Sequence, residues 1–147
     1  MVGRDARHLE EVGSHDEVRR LLDCNDVHDK LQGMKSVMAL AALGHDVGVF
    51  FADVVKNVAT TNMELKKLVY IYLFQHFDEQ PSLALLSVNT FQRDLADSNP
   101  LIRALALRVM SSVRLPILRP LVVMALQKSV TDTSAHVRRT AAVVVTK

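Results

Sequence analysis

Two stretches 35 residues apart follow one plan, and this recurrence limits the fold more than any other feature of the chain. DSNPLIRALALRVMSS runs from Asp97 to Ser112, and DTSAHVRRTAAVVVTK from Asp132 to Lys147. Each opens on Asp. An aliphatic residue stands five positions on (Ile102, Val137), Arg six positions on (Arg103, Arg138), and Ala three beyond that (Ala106, Ala141). A degenerate copy, TNMELKKLV, lies 37 residues ahead of the first. It aligns Asn62 with Asn99, Leu65 with Ile102 and Lys66 with Arg103, while Thr60 stands where Asp97 does. Repetition at this period marks a chain of stacked units, because one unit cannot bury its apolar face alone.

The segments between the polar breaks read as helices. Ser14 is placed to cap a short helix to about Asp23, and a second spans about Val27 to Leu43, with Gly44 ending it. Val47, Phe50, Phe51, Val54, Val55 and Val58 recur at helical spacing and predict one amphipathic helix. Thr61 or Asn62 caps a helix from Met63 to Phe77, and Pro81 opens one to Leu95. Asn99-Pro100 opens a helix to Val113; Pro116 and Pro120 restrict the start of one reaching Ser129; Ser134 caps the last. No segment alternates with period two for long enough to predict a strand, and VVVT near the end reads as helix from its place in the repeat.

The helices are of two kinds. Met63 to Phe77 is apolar almost all round, with Leu65, Leu68, Val69 and Tyr72 on one face and Tyr70, Leu73, Phe74 and Phe77 on another. Pro100 to Val113 behaves likewise: Ile102, Leu105, Ala106 and Val109 form one face, and Leu101, Ala104 and Leu107 the other. A helix apolar on both sides is covered on both sides, and alternation with one-sided helices suits stacked helical hairpins. The Asp and Arg pattern resembles the HEAT-repeat signature, in which such residues pair along the stack. That resemblance implies an all-α fold, a right-handed α-α superhelix of the HEAT/armadillo-like solenoid kind. Asp97, Arg103, Asp132 and Arg138 would form the repeat ladder. Residues 1–26 are then an N-terminal segment with a short helix, and 27–147 carry the repeats.

Charge is divided unevenly. Residues 1–97 carry ten Lys/Arg against fifteen Asp/Glu; residues 98–147 carry eight against the single acid Asp132. A basic half attracts anionic lipid, nucleic acid or an acidic protein surface. Basic residues there are not interleaved with aromatics, so no nucleic-acid partner is expected. Arg108, Arg114, Arg119, Lys128 and Arg139 are the candidate basic surface, and Lys66 and Lys67 read as a solvated edge.

No catalytic constellation is visible. The six histidines (His8, His15, His28, His45, His76, His136) form no i, i+4 pair, one Cys cannot build a zinc site, and no Gly-rich phosphate loop occurs. The chain is read as a non-enzyme without cofactor or metal. Cys24 alone excludes an internal disulfide and fits a reducing compartment. The charged opening MVGRDARHLEE has no apolar core of a signal peptide, and the longest apolar run, Leu68 to Phe74, is far short of a membrane span.

ELKKLVYIYL (Glu64 to Leu73), NPLIRALALRVMSSVR (Asn99 to Arg114) and HVRRTAAVVVTK resemble the amino-terminal trunk of the β-type large subunits of adaptor-protein complexes, the β-adaptins. The likeness runs from about residue 30 onward. Within the family, VVKNVA, LALLSVNTFQRDL and VMSSVRLPI are most similar to the branch of the third adaptor complex; the clathrin-linked branch is the alternative. The resemblance implies a structural subunit of a vesicle coat in protein transport between Golgi, endosomes and lysosome-like organelles. It implies partners: the delta-type large, medium and small subunits, and an ARF-type small GTPase. It also implies a cytoplasmic site with peripheral membrane association. The GTPase surface carries over to the helix opened by Pro81, at Leu85 and Val88, with Val88 in the apolar stripe of Ala84, Phe91 and Leu95. The chain is expected to be a trunk fragment, with Val143, Val144 and Val145 incompletely covered. An importin-like HEAT receptor is the remaining alternative, but the Trp and acidic ladders of such grooves are missing: the chain has no Trp.

Overall fold

The computed structural model describes residues 13–146; His8, the rest of the charged opening segment and Lys147 lie outside the described residues. Every regular element among the described residues is helical, which is the all-α helical-repeat class. The α-helices are α1 (His15–Asp23), α2 (Val27–Ala42), α3 (Phe51–Val55), α4 (Met63–His76), α5 (Pro81–Leu85), α6 (Val88–Asp94), α7 (Pro100–Ser112), α8 (Arg119–Ser129) and α9 (Ala135–Val145). Short 3-10 turns lie at Gly48–Phe50, Phe77–Glu79 and Pro116–Leu118.

The caps follow from side-chain chemistry. Ser14 Oγ accepts from the Glu17 amide at 3.3 Å, Asp26 Oδ1 from His28 at 2.7 Å, Asn62 Oδ1 from Leu65 at 2.9 Å, and Asn99 Oδ1 from Leu101 at 2.9 Å. Each satisfies an amide that the first helical turn leaves open. Helix α2 ends on Gly44 at φ 84°, where its N–H reaches Ala41 O and that of His45 reaches Leu40 O, both at 3.0 Å. That is a Schellman ending, which needs the left-handed backbone glycine adopts without strain.

The chain divides into two compact units within α4, between Tyr72 and Leu73. In the first, α1 packs along α2, and Gly33 sets their approach. A Cβ there would meet Leu21 Cβ at 3.1 Å and Leu22 Cδ2 at 3.2 Å. Phe50, Phe51, Val54, Leu65, Val69 and Tyr72 are fully buried. The Tyr72 hydroxyl donates to Val47 O at 2.7 Å, so its polar tip is satisfied inside the core.

The stretch from Val47 to Val58 departs from the single amphipathic helix its spacing predicts. The six apolar side chains at helical spacing are all buried, but only Phe51–Val55 is α-helical. The reason lies at Asn57. Its side chain donates to Asp53 O at 2.9 Å, taking the acceptor a continuing helix would give the Asn57 amide. That amide bonds Val54 O instead, three residues back, and Val58 does the same to Val55 O. Asn57 also donates to Leu22 O at 3.1 Å, which fastens the end of α1.

In the second unit α7 packs against α6, α8 and α9. Leu107, Ala125 and Ala141 form a core cluster, with Leu95, Leu126 and Val144 against it. Ala106 and Ala141 are fully buried, so the repeated small residue sits where neighbouring elements come closest. Phe77 and Phe91 face each other at 6.1 Å, a tilted pair worth about 1 kcal/mol beyond its burial. Leu101, assigned from the sequence to an apolar face of α7, is instead 41% exposed.

The Pro81 to Leu95 segment is two helices rather than one. Leu86 and Ser87 donate three residues back, to Leu83 O at 3.1 Å and Ala84 O at 3.0 Å, and the α pattern resumes when Phe91 bonds Ser87 O. The tightened turn separates α5 from α6.

Candidate docking surface

The repeat loops share one geometry. Thr60 Oγ1 accepts from the Asn62 amide at 3.3 Å, Asp97 Oδ1 from Asn99 at 2.7 Å, and Asp132 Oδ1 from Ser134 at 2.8 Å. Each is a side-chain turn two residues long, and a carboxylate makes it shorter than a hydroxyl does. Arg103 Nη1 donates to the carbonyls of Asp97 and Ser98 at 2.8 and 3.1 Å; Arg138 Nη1 does so to Asp132 and Thr133 at 2.7 and 3.0 Å. The Arg at the sixth position thus satisfies loop carbonyls of its own repeat. Ser134 occupies the capping position of α9, but its side chain makes no cap bond; its own amide donates to Asp132 Oδ1.

The structure brings Arg103 and Asp132 together. Nε donates to Oδ2 at 2.9 Å and Nη2 to Oδ1 at 2.8 Å, with both side chains only 15% and 14% exposed. The hydrogen bond from Arg103 is the main cause that holds the Asp132 carboxyl below its usual range, and the same bond raises Arg103. Asp97 is not paired this way to Arg103, to which it offers its carbonyl.

Leu85 and Val88 fall on either side of the break between α5 and α6. Leu85 is 40% exposed, Leu86 is 72% exposed, and Val88 is half-buried. The break therefore presents a small apolar patch, whose most open member, Leu86, the sequence reading passed over. An uninterrupted helix would have carried Leu86 elsewhere, so periodicity held no signal for it. Beneath the patch, Ser87 is fully buried and its Oγ has no hydrogen-bond partner.

The candidate basic residues Arg108, Arg114, Arg119, Lys128 and Arg139 are all exposed. Arg108 lies over the Phe74 ring at 5.4 Å. Lys66, read as part of a solvated edge, is in fact buried, at 4% exposure, with its ammonium 5.5 Å from the Tyr70 ring centre; Lys67 is exposed. Lys66 falls inside because it sits at the ladder position of the degenerate repeat, where the aligned Arg103 is also largely covered. Among the described residues no cluster of three His, Cys, Asp or Glu is arranged to hold a metal ion, and no helix is long and apolar enough to cross a membrane. His76 Nδ1 lies 2.8 Å from Glu79, and Cys24 Sγ is turned to Leu21 O at 3.0 Å.

Repeated turn–helix units and a largely covered Arg–Asp rung define a helical-repeat scaffold. The family model of the Adaptin N terminal region matches residues 10–147, and the chain belongs to that family. The match begins well before residue 30, where the resemblance read from the sequence begins. The chain is 50% identical over 128 residues to mouse AP-3 complex subunit beta-2, covering 87% of this chain and 12% of that protein. It is 46% identical over 134 residues to the AP-3 complex subunit beta of Schizosaccharomyces pombe, covering 91% of this chain and 18% of that protein. A homology model of the full-length AP-3 complex in an intermediate open conformation superposes with a TM-score of 0.65 at 34% identity, covering 88% of this chain and 21% of that one. The chain thus spans less than a fifth of the length of these two curated relatives.

Proposed function

We propose that the chain serves as part of a structural subunit of a vesicle-coat adaptor complex of the AP-3 kind, acting as scaffold and docking surface without a chemical step of its own. The observation that carries this reading is the similarity to AP-3 beta subunits across nearly the whole chain. The role is protein transport between Golgi, endosomes and lysosome-like organelles, at the cytoplasmic face of the membrane. The partners are the delta-type large, medium and small subunits of the complex. Co-purification from cells of the full-length subunit carrying this chain tests it. Recovery of the three other subunits in equal amounts is expected; recovery of the subunit alone, or with cargo only, overturns the assignment.

Two surfaces extend the reading. The apolar patch at Leu85, Leu86 and Val88 suits an ARF-type small GTPase in its GTP state, since exposed aliphatic side chains beside a rigid core are what a partner buries. Arg108, Arg114, Arg119, Lys128 and Arg139 supply peripheral attraction to an anionic leaflet, about 1 kcal/mol for each residue that reaches it. Flotation with vesicles containing a phosphoinositide measures this second surface, and binding that ignores added salt would exclude it.

A further inference from the structure

Helix α8 is apolar on more sides than the core uses. Ala125 and Ser129 are its buried residues, while Val123 is 51% and Met124 65% exposed. Met124 is the most open methionine among the described residues: Met34 and Met110 are buried, and Met38 and Met63 are partly covered. It borders a groove of about 190 Å³ in the second unit. Leu95, Met110 and Leu121 give that groove its apolar lining, and Gln92 and Lys128 give it donors. Lys128 follows Met124 by four residues, one turn along the same face of α8. Asp132, the acid of the groove, has both oxygens engaged by Arg103.

We infer that Met124 is an oxidation site, at which a hydroperoxide converts the thioether to a sulfoxide that the donors of the groove hold. The sulfur lone pair attacks one peroxide oxygen. An S–O bond forms, the O–O bond breaks, sulfur gives up an electron pair, and hydrogen peroxide leaves as water. Exposure decides which sulfur reacts, and the surroundings decide what the product does. A thioether accepts hydrogen bonds weakly; the sulfoxide oxygen is a strong acceptor, which Lys128 and Gln92 satisfy. A flexible apolar side chain on the open side of α8 thereby becomes polar and chiral. Because sulfur becomes a stereocentre, a side chain seated beside fixed donors yields one epimer in excess, while a freely rotating one yields both alike. The inference stands on exposure and groove chemistry and is independent of assembly into a coat.

Peptide mass mapping of the full-length subunit carrying this chain, sampled during exposure to dilute hydrogen peroxide, tests it. Met124 should gain its oxygen atom about tenfold faster than Met34 or Met110. The epimer is read by repair. Each class of methionine sulfoxide reductase reduces one epimer, so one class should restore most of Met124 and the other little. K128A, at an exposed position, should bring the two shares closer together. Circular dichroism of the variant must match the parent; where K128A loses helicity, Q92A supplies the same readout. Oxidation of Met124 no faster than of the buried methionines, equal repair by both classes in the parent, or a repair ratio unchanged by K128A would each overturn the inference.

Discussion

Arg103 and Asp132 are joined by two parallel hydrogen bonds across 29 residues of chain, while Asp132 also holds the Ser134 amide and Arg103 the carbonyls of Asp97 and Ser98. A planar guanidinium meeting a carboxylate in a fork is among the stronger polar contacts a protein makes, and here little water reaches it. R103A leaves the carboxylate and two carbonyls short of a donor and should cost about 2 kcal/mol in urea unfolding. R103K keeps the charge but loses the fork and should recover less than half of that. A loss under 0.5 kcal/mol for R103A, the range of an exposed pair, would mean solvent has already weakened the rung.

The same pair gives a pH dependence. Folding holds the Asp132 carboxyl below its usual range, so the folded state binds the Asp132 proton less readily than the unfolded chain does. Its stabilising contribution is complete above the ordinary Asp value of about 4 and fades as pH falls through the lower folded value. Arg103 is raised from an already high value and stays charged throughout this range. Thermal melts across the acid limb should therefore fall more steeply for the parent than for D132N. Parallel curves would contradict this.

Gly44 isolates a backbone effect. No atom lies within 4 Å of a Cβ built there, so G44A meets no clash and strains only the φ of 84°. A loss of about 1 kcal/mol is expected, with G44N closer to the parent because Asn tolerates the left-handed region better. Equal melting of G44A and parent would show that the α2 ending relaxes to another form.

At Ser87 the sign reverses. Its hydroxyl is buried without a partner, so S87A removes a desolvated polar group and leaves a methyl of nearly the same shape. Stability should rise by about 1 kcal/mol. A drop on substitution would indicate that the hydroxyl is satisfied in solution.

For the apolar patch, L85D and L86D should leave helicity and melting unchanged and weaken capture by a GTP-loaded ARF-type GTPase. V88D, at a half-buried position, should also lower the melting temperature. Unfolding of L85D would make Leu85 a packing residue and remove it from the docking surface.

Much of the architecture is legible in the residues because caps and repeat spacing act locally. Asn62, Asn99 and Gly44 do what their chemistry dictates at the positions their neighbours define. The misreadings arise where a side chain competes with the backbone. Asn57 diverts the carbonyl that would have carried the third helix onward, and the turn at Leu86–Ser87 divides what periodicity joins. Lys66 looks solvated by composition and is buried by its rank in the repeat. Leu86 was invisible because its exposure depends on that break.

Because one carboxylate closes the turn at Asp132 and grips Arg103, the connection between α8 and α9 has no slack. A residue added there would shift the acid relative to both donors at once, so loop length and stacking register must drift together or not at all. Insertions should settle instead in the Leu115–Ile117 link, where Ile117 is 74% exposed.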